Sequence, residues 1–318
     1  MRSESTLEEI RRIWLALDST SGRTLSDEPM LGRAWLDNLI SIREEGEVPA
    51  NQSAFDNNFA ILDQITAHFG AVHFCYMAKV VTDGDDANAP KLRALALVTG
   101  AIAHFLEAIA SLCRRGLDVA TKSLVRVWLE YMDLLSLLMR EDVVDEFNIA
   151  ETPEDANRFW HKYISRSKLQ KSGHEFMARK LGYTPAQIDE LRDWENEELA
   201  VLGASIHPSR IAAFMACAAI PVFDGNALGG FIGGLHDSQF RTTRLIFLKT
   251  LTFVALHEDF PFGPSIGLSK SNEDIMHQYA ADGGIVLKVI LADYIKNYNS
   301  PKYHQKGPFS MADEEDEA

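Results

Sequence analysis

The stretch Leu124-Val125-Arg126-Val127-Trp128-Leu129-Glu130-Tyr131-Met132-Asp133-Leu134-Leu135 decides the fold. At about 100° per residue, its apolar side chains, continued by Leu138 and Met139, wrap more than half of a helix circumference. A helix lying on a protein surface needs only one apolar stripe. This one therefore reads as a central helix, running from Asp118 to about Phe147. Its other side carries Ser123, Arg126, Glu130, Asp133 and Arg140, interrupted by Leu129 and Leu137. Those leucines imply that even the polar side is partly covered.

Outward from this helix, strand alternation is nearly absent, while helical periodicity with start and stop signals recurs. Thr152-Pro153 and Thr184-Pro185 each place a cap residue before a proline at the first helical position, with Gln187 at the capping-box position of the second. Helices are expected over 4–18, 28–45, 55–81, 91–115, 118–148, 153–170, 172–181, 185–202, 209–220, 238–258 and 272–298. Breaks fall at Pro49, Gly84, Gly182 and Gly203 to Pro208. The expected fold is all-α, a multi-helix bundle. Residues 1–50 read as an N-terminal helical pair, 51–299 as the main bundle and 300–318 as a disordered acidic tail ending in Asp313-Glu314-Glu315-Asp316-Glu317.

Composition narrows the function classes. The chain has 318 residues, 46% of them hydrophobic, and a net charge of −15 from 31 Lys+Arg against 46 Asp+Glu. That balance argues against a general nucleic-acid or anionic-membrane coat, which needs cationic patches. Cys75, Cys113 and Cys217 are far apart in apolar stretches. They read as reduced, buried thiols of a cytoplasmic protein. Leu95 to Cys113 and Ile211 to Phe223 are strongly apolar, but His104 and Glu107 interrupt the first and the second is short. Both read as core helices and no membrane contact is expected.

Chemistry-bearing residues are few. Arg126 and Glu130 lie one turn apart and can meet. His207 sits in Ser205-Ile206-His207-Pro208-Ser209-Arg210, where Gly203 is expected to end one helix and Ser209 to cap the next. A helix N-terminus there would favour an anion. The candidate catalytic residues are thus His207, Glu130 and Arg126, with Ser205, Ser209 and Arg210 as ligand-binding residues. Arg126 would hold phosphate, His207 would transfer protons and Glu130 would orient it. Equally, Arg126 and Glu130 can be a solvent-facing pair and His207 a simple connection. A di-metal bundle site needs Glu-x-x-His twice, and the motif does not occur. His104-x-x-Glu107 is reversed, Asp274-x-x-His277 is a single match, and Glu195, Glu197 and Glu198 read as a solvated face. No metal ligand set and no cofactor are expected.

Lys122-Ser123-Leu124-Val125-Arg126-Val127-Trp128-Leu129-Glu130-Tyr131-Met132-Asp133-Leu134 resembles the arginine/glutamate helix of an uncharacterised family of bacterial helical proteins. Leu202-Gly203-Ala204-Ser205-Ile206-His207-Pro208-Ser209 is similar to that family's later serine/histidine motif, and Phe159-Trp160-His161-Lys162-Tyr163 to its aromatic helix. The resemblance covers roughly residues 95–260. That family is loosely related to the HEPN superfamily. The resemblance implies a HEPN-like helical core, often dimeric, in proteins of bacterial stress or phage defence that bind nucleotide or RNA, many of them ribonucleases. The usual HEPN motif, arginine and a polar residue shortly before histidine on one helix, is not present ahead of His207. A different arrangement, a binding role and a structural role all stay open.

The leading expectation is a cytoplasmic HEPN-like protein that binds nucleotide or RNA. Alternatives are a non-catalytic module binding a protein partner and a metal-dependent helical-bundle enzyme. Ile211 to Phe223 and Leu245 to Leu256 are apolar over most of their circumference, so a homodimer covering one such face is expected.

Overall fold

Helix boundaries follow from local chemistry. The computed structural model describes residues 9–10, 12–13, 53–82, 88–140, 143–165, 168–207, 237–263, 266–269, 275–300 and 303. Helix α1 spans Ser53–Thr82, α2 Ala89–Arg114, α3 Asp118–Arg140, α4 Val144–Asn148 and α5 Pro153–Phe159. Then come α6 Lys168–Leu181, α7 Pro185–Ile206, α8 Asp237–Leu256 and α9 Ile275–Lys296. Among the described residues there is no strand, only an isolated bridge between Gly263 and Leu268. The protein is an all-α bundle.

The expected caps are formed. Asp155 donates its backbone N–H to Thr152 Oγ1 at 3.1 Å and starts α5. At α7, the Thr184 N–H donates to Gln187 Oε1 (2.9 Å) and the Gln187 N–H to Thr184 Oγ1 (3.3 Å). Each such cap contributes about 1 kcal/mol. Gly116, at φ 68°, turns the chain between α2 and α3. Its N–H donates to the Cys113 carbonyl and that of Leu117 to the Leu112 carbonyl, both at 3.0 Å, closing the C-terminus of α2.

Helix α3 is central. It packs against α2, α6, α7 and α8, while α1 packs against α2, α8 and α9. Val125, Trp128, Met132, Leu135 and Leu138 are buried, as are Leu129 and Leu137 on the polar side. Burying each large apolar side chain contributes about 1.5–3 kcal/mol, so α3 anchors the bundle. One contiguous core also takes in Ile10 from the N-terminal region and Tyr303. Tyr303, which the sequence assigns to the tail, donates its hydroxyl to Asp293 Oδ2 at 2.6 Å, and its carbonyl accepts from Asn58 at 2.8 Å. A buried aromatic with both polar groups satisfied keeps this part of the chain on the bundle. Residues 304–318 lie outside the described residues, as does most of 1–50.

Several boundaries differ from the periodicity. The helix expected over 118–148 stops at Arg140, and Val144–Asn148 is a separate short helix. The one expected over 153–170 passes into a π-helical turn, Trp160–Ile164, and α6 begins at Lys168. Gly203 does not end α7. The helix runs through it to Ile206, and His207 turns extended (φ −88°, ψ 135°) because the following proline disfavours a helical residue before it.

The apolar faces also resolve differently. Leu245, Ile246, Phe247, Phe253, Val254 and Leu256 are buried within the chain. Ile211 to Phe223 lies outside the described residues. Exposed apolar side chains occur instead on α1, at Phe74, Met77 and Val81, and at Leu97 on α2. Helix α2 is long and apolar enough, by length and composition, to cross a membrane, despite His104 and Glu107. Its buried side chains share the core with α1 and α3. Cys75 and Cys113 are buried; burial, ahead of smaller effects, pushes the Cys113 thiol up to about 12. Cys217 lies outside the described residues.

Candidate functional site

Three helices each turn one stripe toward the same space. Arg126, Leu129, Glu130 and Asp133 recur at helical spacing on α3, as do Leu191, Trp194, Glu195 and Glu198 on α7 and Arg244, Leu245, Leu248 and Lys249 on α8. Helix α6 adds Leu169, Gln170 and Met177, and the π-helical turn adds Trp160 and Ile164. Together they enclose a cleft of about 330 Å³. That lies at the lower end of the roughly 300–1,000 Å³ typical of small-molecule sites.

The π-helical turn is pinned from outside. Lys162 Nζ donates to both Glu146 carboxylate oxygens (2.8 and 2.7 Å), and the Tyr163 hydroxyl donates to the same group at 2.7 Å. These bonds hold Glu146 below the usual carboxylate range. They fix the wall that presents Trp160.

The floor of the cleft is a buried ion network. Lys249 Nζ lies 2.6 Å from Asp133 Oδ1 and 3.8 Å from Glu195 Oε1. Glu195 Oε2 accepts from His174 Nε2 and Gln170 Nε2, both at 2.8 Å. Burial pushes Glu195 up, but the His174 bond, the Lys249 charge and the Gln170 bond together bring it down to about 2. Burial likewise pushes Lys249 down, and the Asp133 and Glu195 carboxylates outweigh it, so Lys249 is held above the ordinary lysine value. A side chamber of about 30 Å³, lined by Ser136, His174, Glu195 and Lys249 among others, adjoins the network. The ammonium of Lys249 fills the place a cation would take between Asp133 and Glu195. Among the described residues no group of three or more His, Cys, Asp and Glu could hold a metal ion.

The mouth is different. Arg126 Nε lies 3.7 Å from Glu130 Oε1, and the two side chains are 35% and 39% exposed. Burial raises Glu130 above the usual carboxylate value and the Asp133 charge adds to this, while Arg126 and a hydrogen bond from Trp160 pull it back. Glu198 accepts two bonds from Arg241 Nε, at 2.9 and 3.1 Å.

The sequence candidates divide accordingly. Arg126 and Glu130 line the cleft. His207 does not; it is exposed at the C-terminal end of α7, nine residues beyond Glu198, or about 14 Å along the helix axis. Helix α7 continues past Gly203 to Ile206, with His207 as its C-cap, and the helix expected to begin after Ser209 lies outside the described residues. Ser205 is buried and donates to the Val201 carbonyl at 3.1 Å, which occupies its hydroxyl. Ser209 and Arg210 lie outside the described residues. Glu197 is exposed, but Glu195 and Glu198 turn inward, so the expected solvated face is corrected for those two.

Sequence reasoning missed Lys249, Glu195, His174, Trp194 and Arg244. One signal was legible: Lys249 stands alone in the apolar run from Leu245 to Leu256, and a charge there needs a partner. A second polar pair, Ser136 Oγ and His257 Nε2 at 2.8 Å, suggests a nucleophile and base. Burial, then the Arg140 and Lys180 charges, push His257 down to about 4, and it packs between Phe176 and Phe253. Such an imidazole is a weak base at neutral pH. Comparison of the chain with known protein families, curated proteins and solved structures finds no match.

Proposed function

We propose that the protein binds a nucleotide in this cleft, in line with the HEPN-like role that its sequence motifs imply. The supporting observation is that two indoles, Trp160 and Trp194, and two guanidinium groups, Arg126 and Arg244, line one cleft of about 330 Å³. Indole faces stack on planar rings, and a guanidinium fork matches the geometry of phosphate. The leucine side chains between them suit the faces of a base and sugar better than a fully hydrated ion. Glu130, raised and half-exposed beside Arg126, is the cleft residue with the capacity to carry a proton, should the ligand also be cleaved. The defence role rests on the resemblance and the cytoplasmic location on the reading of the cysteines as reduced thiols.

Calorimetric titration of the purified protein with nucleosides and nucleotides tests this, alongside tryptophan fluorescence. The expected result is saturable binding with a fluorescence change that is lost in Trp160→Ala. Absence of saturable binding by every nucleoside and nucleotide at millimolar concentration overturns it. A protein-interaction role is favoured by one observation, the exposed stripe of Phe74, Met77 and Val81 on α1.

A further inference from the structure

The cleft holds four carboxylates, and each already has a cation. Asp133 faces Lys249 at 2.6 Å, and Glu195 faces His174 at 2.8 Å and Lys249 at 3.8 Å. Glu198 takes Arg241 at 2.9 Å, and Glu130 takes Arg126 at 3.7 Å. Arg244 stands apart. Its guanidinium lies 4.3 Å from the centre of the Tyr298 ring, and Nη1 donates to the Tyr298 hydroxyl at a long 3.4 Å. No carboxylate among the described residues pairs with it. Stacking on Tyr298 orients the guanidinium plane while leaving donors in that plane for a ligand.

Resting on the nucleotide reading above, we infer that the ligand is a nucleoside monophosphate and that Arg244 holds its phosphate. One uncompensated guanidinium matches one phosphate group, which carries roughly −1.5 to −2 at neutral pH. A triphosphate or an oligonucleotide would bring further negative charge among Glu130, Asp133, Glu195 and Glu198, while the other cations that line the cleft, Arg126 and Lys249, already face carboxylates. The net charge of −15 adds repulsion that grows with ligand charge. The volume of about 330 Å³ leaves little room for additional phosphates or a second nucleotide.

The test is calorimetry at fixed ionic strength with adenosine, AMP, ATP, guanosine, GMP, GTP and a 5′-phosphorylated tetranucleotide. Monophosphates should bind at least roughly tenfold more tightly than the matching nucleosides, and by a similar factor more tightly than triphosphates and the tetranucleotide, as expected for one charge-assisted contact. Arg244→Gln should remove the monophosphate's gain and leave nucleoside affinity unchanged; Arg244→Lys should keep part of it. A triphosphate or tetranucleotide that binds as tightly as the monophosphate overturns the inference but not nucleotide binding. So does a monophosphate advantage that survives Arg244→Gln. Failure of every nucleoside and nucleotide to bind removes both readings. If Arg244→Gln does not fold, phosphorus-31 titration of AMP bound to the natural protein decides. A neighbouring guanidinium should lower the second phosphate ionisation relative to free AMP, and an unshifted titration overturns the inference.

Discussion

Asp133 and Glu130 are neighbours on one face of α3, and both pair with a cation, yet they sit in opposite environments. At the floor, Asp133, Lys249, Glu195 and His174 have side chains 22%, 18%, 13% and 6% exposed and come from α3, α8, α7 and α6. At the mouth, Arg126 and Glu130 are 35% and 39% exposed and share a single helix. The difference teaches that spacing within a helix identifies side chains able to meet, whereas burial is decided by what other helices bring. Two elements bring Lys249 and Glu195 over Asp133. Over Arg126 there is open cleft.

The strongest way to break this comparison is to remove the floor's cation. Lys249→Met keeps most of the stem's volume and leaves the Asp133 and Glu195 carboxylates without their shared partner. Stability should fall by about 3–5 kcal/mol, as when one member of a buried pair is deleted. Urea unfolding measures it. A loss below about 1 kcal/mol would mean the floor is screened by solvent much as the mouth is.

Acid probes the same contrast through linkage. Glu195 sits at about 2 in the folded protein against an ordinary value of 4.5. Its ionised form is therefore favoured by folding, and the stability it adds is complete above about pH 4.5 and lost as pH falls toward 2. That contribution is about 3 kcal/mol. Glu130 runs the other way. Its folded value is raised, so its contribution is present below pH 4.5 and lost as pH rises through the folded value. Melting temperature followed from pH 6 to pH 2 should drop in the natural protein and drop less in Glu195→Gln. Parallel curves for the two would place the acid sensitivity elsewhere.

Truncating the mouth pair should matter much less. Glu130→Ala leaves Arg126 more than a third exposed to water, so the cost is below about 1 kcal/mol. Ligand affinity responds more than stability does, since Arg126 and Glu130 line the cleft. A loss of several kcal/mol would show that the mouth closes over the pair in solution.

What was legible in the sequence follows the same division. The wrap of apolar residues around Trp128 marked α3 as central, because helix periodicity is a local property of the chain. Thr152, Thr184 and Gln187 marked real helix starts for the same reason. Arg126 and Glu130 were found because one helix carries both. The floor was hidden because Asp133, His174, Glu195 and Lys249 are spread over four helices, and nothing in linear spacing joins them. Gly203 misled because a helix interior can carry glycine at a cost of about 1 kcal/mol, and Pro208 was the stronger stop. His207 therefore ends α7 directly, while the helix expected to begin after Ser209 lies outside the described residues.

His207 supplies the smallest expected effect and the sharpest discrimination. It is exposed, its backbone N–H already donates to the Gly203 carbonyl at 3.3 Å, and it lies beyond the residues that line the cleft. His207→Ala therefore removes only a solvated ring at a helix C-terminus. Surface changes of this kind stay within about 0.5 kcal/mol. Nucleotide affinity should remain within about twofold of the natural protein, well under the tenfold that 1.4 kcal/mol of lost contact represents. Arg244→Gln, measured beside it under the same conditions, should lose the monophosphate's gain. The pair of variants separates two accounts of the molecule. If the cleft is the functional centre, only the arginine matters. If the histidine variant instead loses binding tenfold or more while the arginine variant keeps it, the centre lies at the end of α7, and the buried floor at Lys249 is a structural staple with no ligand above it.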